Sequence, residues 1–381
     1  MSELERLIQE HCPNGVEYLE LSKVCRFQNG FAFKSSLFKN EGSPVLRITN
    51  IVNGELSDDN YVYFDENDYN VDFSQYKVPY GAIVVAMSGA TTGKIGYNYS
   101  ETVYYLNQRV GMFVPDTNIL SNRYLYHWLM SQSQNIYNIS SGVGAQPNLS
   151  STKMMEFLIP VPPIEVQSEI VRILDNFTEL TAELTAELTA RKKQYEYYRD
   201  ELLNNANNAR YLALGDIAKI KNGRDYKSLN SGTIPVYGSG GIMTYVDEYA
   251  YNKPTVLIPR KGSVDKLYYV ETPFWNVDTI FYTDINVDVV IPKYLFYLLQ
   301  KEHLEQYNTA GGVPSLTQGV LNKVQLLVPS IDEQKRIVDI LDRFDALCND
   351  ISAGLPAEIE ARQKQYEYYR DKLLTFKEAS E

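Results

Sequence analysis

The sequence predicts an α+β chain written twice: two mixed α/β globular segments joined by two long antiparallel coiled-coil helical regions, with an internal pseudo-twofold repeat. Three observations predict it. The octapeptide KQYEYYRD occurs at 193–200 and again at 364–371, and an identity of that length inside one chain marks a duplication. Ahead of each copy lies a matching stretch, PPIEVQSEIVRILDNFTEL (162–180) and PSIDEQKRIVDILDRFDAL (329–347). Shorter anchors recur in the same order upstream: LSKVCRFQNG with LGDIAKIKNG, YLYHWL with YLFYLL, and SGVGAQPNLS with AGGVPSLTQG.

Taken in order, residues 1–160 form the first globular segment. Its apolar run GAIVVAMS (81–88) reads as a buried strand entering a Gly-containing loop, and RYLYHWLM (123–130) as a short helix. Residues 161–206 form the first helical block. Ile170, Leu174, Phe177, Leu180, Leu184, Leu188, Tyr195, Tyr198 and Leu202 recur at steps of mostly three or four, which makes one apolar stripe. Pro162 and Pro163 precede the helix, where proline is tolerated. A helix over 164–203 spans about 60 Å and needs a packing partner. Residues 207–328 form the second globular segment, with PTVLIPR (254–260) as a strand and KYLFYLLQ (293–300) as a helix. Residues 329–381 form the second helical block, striped by Ile337, Leu341, Phe344, Tyr366 and Tyr369. Gly354 and Pro356 predict that this block is two helices with a break.

Composition limits the function classes. The net charge is −12, which on average opposes nucleic acid as a partner. The acids are unevenly placed, however, with a strip at ELSDDNYVYFDENDYNVD (55–72). Cys12, Cys25 and Cys348 are dispersed, so neither a disulfide framework nor a zinc site is expected. No apolar run is long enough to span a membrane. The opening MSELERLIQEHCPNG has acids and no apolar centre, so it is not read as a secretion signal. A cytoplasmic protein is expected.

The run TELTAELTAELTA (178–190) repeats a four-residue unit inside the first helical block. Four helical residues advance about 6 Å and rotate about 40°. One base pair of B-DNA rotates about 34–36°. A helix separating two DNA readers would therefore shift their spacing by roughly one base pair per unit. The plainer reading is a solvated, leucine-striped helix that grew by repeat slippage.

These features together resemble the specificity (S) subunits of type I restriction-modification systems. The resemblance is carried by the paired LDxF…KQYEYYRDxLL blocks, the TAEL run, SGATTGKIG (88–96), NQR (107–109), PVYGSGGI (235–242), RKGS (260–263) and FWNVDT (274–279), and it covers nearly the whole chain. It implies two target recognition domains, each reading one half of a split, asymmetric site on double-stranded DNA. It also implies that the helices dock two modification (methyltransferase) subunits, with restriction/translocase subunits joining the complex. Adenine methylation, translocation and cleavage, with S-adenosylmethionine, ATP and Mg, would belong to those partners, and no cofactor to this chain. One rival is the specificity subunit of a solitary methyltransferase; another is a coiled-coil adaptor that binds protein only.

Base edges are read by side chains such as Arg, Asn and Gln, while phosphate contacts position the protein. Polar residues on Gly-bounded loops suit both tasks. In the first segment the candidates are Lys34, Ser35, Arg47, Thr49, Asn50, Ser88, Thr91, Thr92, Lys94, Asn107, Gln108, Arg109, Gly142, Gln146 and Asn148. In the second they are Arg224, Tyr226, Lys227, Tyr237, Ser239, Gly240, Arg260, Lys261, Ser263, Gly311, Gly312 and Ser315. The alternative for any one of them is an ordinary hydrogen bond at a loop or core edge. RKGS suits phosphate. In FWNVDT, Trp275 is expected to pack and Asp278 and Thr279 to tie a turn.

Enzymatic motifs fail on spacing. GATTGKIG has three residues between its glycines and Ile95 after the lysine, where a P-loop needs four and Ser or Thr. YGSGGI lacks the dinucleotide-binding pattern. A non-catalytic subunit is expected.

Overall fold

The computed structural model describes residues 2–57, 59–140, 147–308, 311–350 and 353–379. The chain forms two compact units, Met1–Glu183 with Ile359–Glu381, and Leu184–Glu358. The first boundary falls inside the TAEL run.

The first unit holds a six-stranded sheet in the order Cys25–Asn29, Val110–Pro115, Ile83–Ala86, Ile95–Tyr97, Gly54–Leu56, Ile51–Val52, and a four-stranded sheet in the order Val62–Phe64, Ser43–Leu46, Tyr104–Leu106, Lys77–Val78. All four residues of Ile83–Ala86 are buried, as its unbroken apolar run requires of a strand covered on both faces. The second unit has a four-stranded sheet, Ala218–Lys221, Ile280–Ile285, Thr255–Pro259, Tyr268–Val270, and a three-stranded one, Gly241–Val246, Ser231–Gly238, Trp275–Asn276. Thr255–Pro259 is buried throughout. The short helices expected from RYLYHWLM and KYLFYLLQ run over Asn122–Ser131 and Pro292–Lys301.

Each globular segment closes on itself in the same way. Its entry strand pairs antiparallel with its exit strand: Tyr18–Glu20 with Leu158–Pro160, and Arg210–Ala213 with Gln325–Val328. The exit strand leads into a helix, Ile164–Asn204 in one case and Ile331–Asn349 in the other. One buried glutamine clamps each junction. Gln167 Oε1 accepts from Ser121 N–H (2.8 Å), while its Nε2 donates to Ile119 O (2.8 Å) and Pro162 O (2.7 Å). Gln334 repeats the pattern with Ile291 N–H (2.8 Å), Val289 O (2.9 Å) and Pro329 O (2.9 Å).

The second helical block is broken as expected. One helix ends at Asn349, another runs over Leu355–Leu373, and Gly354 N–H donates to Asp350 O (2.9 Å) between them. The apolar stripes have two duties. Ile170 and Leu174, like Ile337 and Leu341, are fully buried in the core of their own unit. Further along, the helices meet each other. Phe177 stacks on Tyr369 (centroids 5.4 Å apart) in the first unit, and Phe344 on Tyr198 (6.0 Å) in the second. Arg191 and Lys192 lie by Cys348, Tyr195 by Asp345 and Asn207 by Glu333, so the second unit's pair runs antiparallel. Leu184 and Leu188 are half-buried, Leu188 against the second core. None of the described helices is long and apolar enough to cross a membrane.

Candidate nucleic-acid interface

The duplication extends to loop geometry that the two sequences barely share. Behind each buried strand a loop is held by the same backbone hydrogen bonds. In the first unit Met87 N–H donates to Arg109 O (2.8 Å), Gly89 to Pro147 O (3.2 Å) and Leu149 to Met87 O (2.8 Å). In the second, Arg260 N–H donates to Thr279 O (2.8 Å), Gly262 to Pro314 O (3.0 Å) and Leu316 to Arg260 O (2.9 Å). Ser88 bridges Asn148, and Lys261 bridges Ser315.

A second crossing is duplicated as well. A Cβ on Gly30 would lie 2.0 Å from Asn107 O, and one on Gly223 2.1 Å from Val277 O. Two backbones touch at each point, and only glycine permits it. The strands that follow carry a third loop to the cluster. Thr91 Oγ1 donates to Ile48 O (3.3 Å) in the first unit, and Ser239 N–H donates to Thr279 Oγ1 (3.3 Å) in the second.

Many of the sequence candidates thus share one loop cluster per unit, whereas Tyr226 and Lys227 lie beside Ser231 and Val246, at the far end of the hairpin Ser231–Val246 from its turn. In the first, Thr49, Lys94, Gln108, Arg109 and Asn148 are exposed, while Arg47, Ser88, Thr91 and Asn107 are half-buried. Arg47 Nη2 donates to Asn60 O. Lys34 and Ser35 sit on an exposed turn just after the Gly30 crossing, with Lys34 N–H bonded to Tyr69 Oη (3.1 Å). Gly142 and Gln146 lie outside the described residues. In the second unit Arg224, Lys227, Gly240, Lys261, Gly311 and Gly312 are exposed, and Tyr226, Ser239, Arg260, Ser263 and Ser315 half-buried.

Three candidates are taken up by the fold. Asn50 is buried, accepting from Arg47 N–H (3.0 Å) and donating to Asp59 O (2.8 Å). Thr92 is buried, with its hydroxyl on Gly89 O (2.7 Å) and Pro147 O (3.0 Å). Tyr237 packs its ring against Tyr268 and Phe274. These side chains brace loops. Trp275 also braces, donating Nε1–H to Arg224 O (3.0 Å), and Thr279 ties its turn, but Asp278 is simply exposed.

Each unit also has a charged knot that the sequence reading missed. In the first, Asp175 Oδ1 meets His127 Nε2 (2.8 Å) and the Arg123 guanidinium (2.7 Å), which lies over the rings of Tyr97, Tyr99 and Tyr126. Burial pushes the Asp175 carboxyl up, but hydrogen bonds from His127 and Arg123 outweigh it and hold the group below its ordinary value. In the second, Asp342 meets the Tyr297 hydroxyl and Lys293 Nζ (3.6 Å), which lies over Tyr269, Phe296 and Tyr297. The signal was present in the repeats: LDNF and LDRF put Asp at matching positions.

A family model described as the type I restriction modification DNA specificity domain matches residues 13–191 and again 208–361. This chain belongs to that family. It is a specificity subunit of the type I restriction-modification kind, as its relatives also indicate. It is 32% identical over 375 residues to a putative type I restriction enzyme specificity subunit of Haemophilus influenzae, covering 88% of this chain and 95% of the relative. It is 35% identical over 297 residues to the EcoR124I/EcoR124II specificity subunit of Escherichia coli, covering 68% and 72%. Two solved structures share the fold. The S subunit of a type I system from M. genitalium aligns over 94% of this chain and 96% of its own, at 18% identity and a TM-score of 0.59. A chain from a structure concerned with assembly of the type I R-M system aligns over 96% and 98%, at 13% identity and 0.64.

Proposed function

We propose that this specificity subunit reads a bipartite, asymmetric site on double-stranded DNA, one half-site per loop cluster. Residues 1–160 and 207–328 are the two target recognition domains, and 161–206 and 329–381 the helical spacers. One observation carries the reading: a duplicated backbone frame presents different side chains at matching places. Arg109 stands where the second unit has Thr279, and Ser88 where it has Lys261. A conserved frame with exchanged surface chemistry is what two readers of unlike half-sites require.

The spacers dock two modification subunits. Supporting this, the two KQYEYYRD copies turn Tyr197 and Tyr368 outward at 62% and 63% exposure, beside Tyr198 and Tyr369, which stack within the helix pairs yet stay 42% and 39% exposed. Large exposed aromatics at equivalent positions suit two copies of one partner. Restriction/translocase subunits join through that complex. Methyl transfer with S-adenosylmethionine, and ATP- and Mg-dependent steps, reside in those partners, and this chain is non-catalytic.

The test is co-expression with the modification subunit and mapping of methylated adenines across a genome. Exchanging 207–328 for the matching segment of a relative is expected to change one half of the methylated sequence and leave the other. A change in both halves refutes the division of labour.

A further inference from the structure

The second unit's loop cluster contains side chains of the wrong polarity for an exposed site. Ile242 and Met243 are 51% and 58% exposed. They begin the return strand of the hairpin Ser231–Gly238/Gly241–Val246, just past its turn, on the edge strand of the three-stranded sheet. Strand side chains ordinarily alternate faces, so two successive exposed apolar residues need a cause. The cause is a bulge. Tyr237 pairs with Ile242 but Val236 pairs with Thr244, leaving Met243 unopposed. Bulges of this kind re-aim side chains. The Met243 side chain folds back over the hairpin, where a Cβ on Gly238 would lie 2.6 Å from its Sδ.

The ribbon tip is also fixed in place. Tyr268 Oη–H donates to Ser239 O (3.2 Å), Ser239 N–H donates to Thr279 Oγ1 (3.3 Å), and Ser239 Oγ lies 4.0 Å from the Cβ position of Gly262 in the RKGS loop. The apolar pair therefore follows directly on a turn that is tied to the loop of Arg260 and Lys261. In the first unit the matching strand, Ser43–Leu46, leads into Arg47 and Thr49 where Ser231–Gly238 leads into Ser239 and Gly240.

We infer that the Ser231–Val246 ribbon enters the major groove and that Ile242 and Met243 read thymine through its C5-methyl group. Strands of ribbons and sheets serve as groove readers, and the methyl is the one apolar feature on the floor of the major groove. A protein partner would not explain why the pair sits on the loop cluster, fastened to the RKGS side. The inference rests on the half-site reading above and specifies one of its contacts.

The test uses the full chain in complex with its modification subunit and duplexes of its mapped site in which each thymine in turn is replaced by deoxyuridine. Loss of one buried methyl is expected to weaken binding about fourfold at a thymine of one half-site. In the Ile242→Ser/Met243→Ser variant, whose changed side chains are exposed, the same replacement is expected to cost nothing more. The inference is overturned if that half-site holds no thymine, if no replacement matters in the wild type, or if the effect persists in the variant. Each of these leaves split-site recognition standing. Absence of any site-specific binding by the complex would overturn both.

Discussion

His127 is the one histidine of three that lies inside the protein, and both ring nitrogens are engaged. Nε2–H donates to Asp175 Oδ1 (2.8 Å), so Nδ1 accepts from Tyr366 Oη–H (3.0 Å). The C-terminal helix is thereby bonded to the first globular segment through a neutral imidazole. Burial keeps the ring from protonating; the Asp175 hydrogen bond opposes this, but Arg123 and Arg370 work with burial, and the pKa lies below its ordinary 6.5. A histidine with a depressed folded pKa stabilises the fold above the unfolded value. That stability is lost as pH falls through about 6.5 toward the folded pKa. Asp175 is also depressed, but from 3.8, so its contribution vanishes only in stronger acid. The wild-type melting temperature is therefore expected to fall between pH 7.5 and 5.5. His127→Tyr, which installs the residue found at the matching position in the second unit, should flatten that fall. An equal slope in both proteins would show that the ring is not the titrating group.

At the scale of elements, much was legible because helices and buried strands advertise themselves by periodicity and apolar runs. The 41-residue helix, the break before Leu355 and the two buried strands lie where the pattern put them. What was not legible is how loops close. Gly89–Pro147 and Gly262–Pro314 bonds join segments remote in sequence, and neither Asn50 nor Thr92 announces that its polar atoms face inward. Gln167 and Gln334 were equally silent, although the aligned PPIEVQSEI and PSIDEQKRI place them in register. Each glutamine bonds three backbone groups, so Gln→Ala leaves buried donors and acceptors unmatched. The expected cost is about 3 kcal/mol in the unit concerned. Hydrogen exchange should show the loss of protection confined to 1–183 and 359–381 for Gln167→Ala and to 184–358 for Gln334→Ala. Uniform loss across the chain for either variant would mean that the units do not open separately.

For the whole molecule, the decisive feature is that the first unit boundary, Glu183/Leu184, falls within the TAEL run, on a helix that continues unbroken from Ile164 to Asn204. Within this run Leu188 alone packs against a core, so a change in its length is expected to leave the globular segments intact. Deleting residues 181–184 removes about 6 Å of rise and 40° of rotation. Divided by DNA's own step, the rise corresponds to about two base pairs and the rotation to about one. Rotation should decide. A reader turned off its groove faces the phosphate backbone and loses its base edges, whereas a helix inclined to the DNA axis projects less than its full rise. The deletion variant, assembled with its modification subunit, is thus expected to methylate the same two half-sequences with the gap between them shortened by one base pair. Inserting a TAEL unit should lengthen the gap by one. Genome-wide mapping of methylated adenines reads both outcomes directly, and an unchanged gap in either variant would remove the helix from any role in spacing.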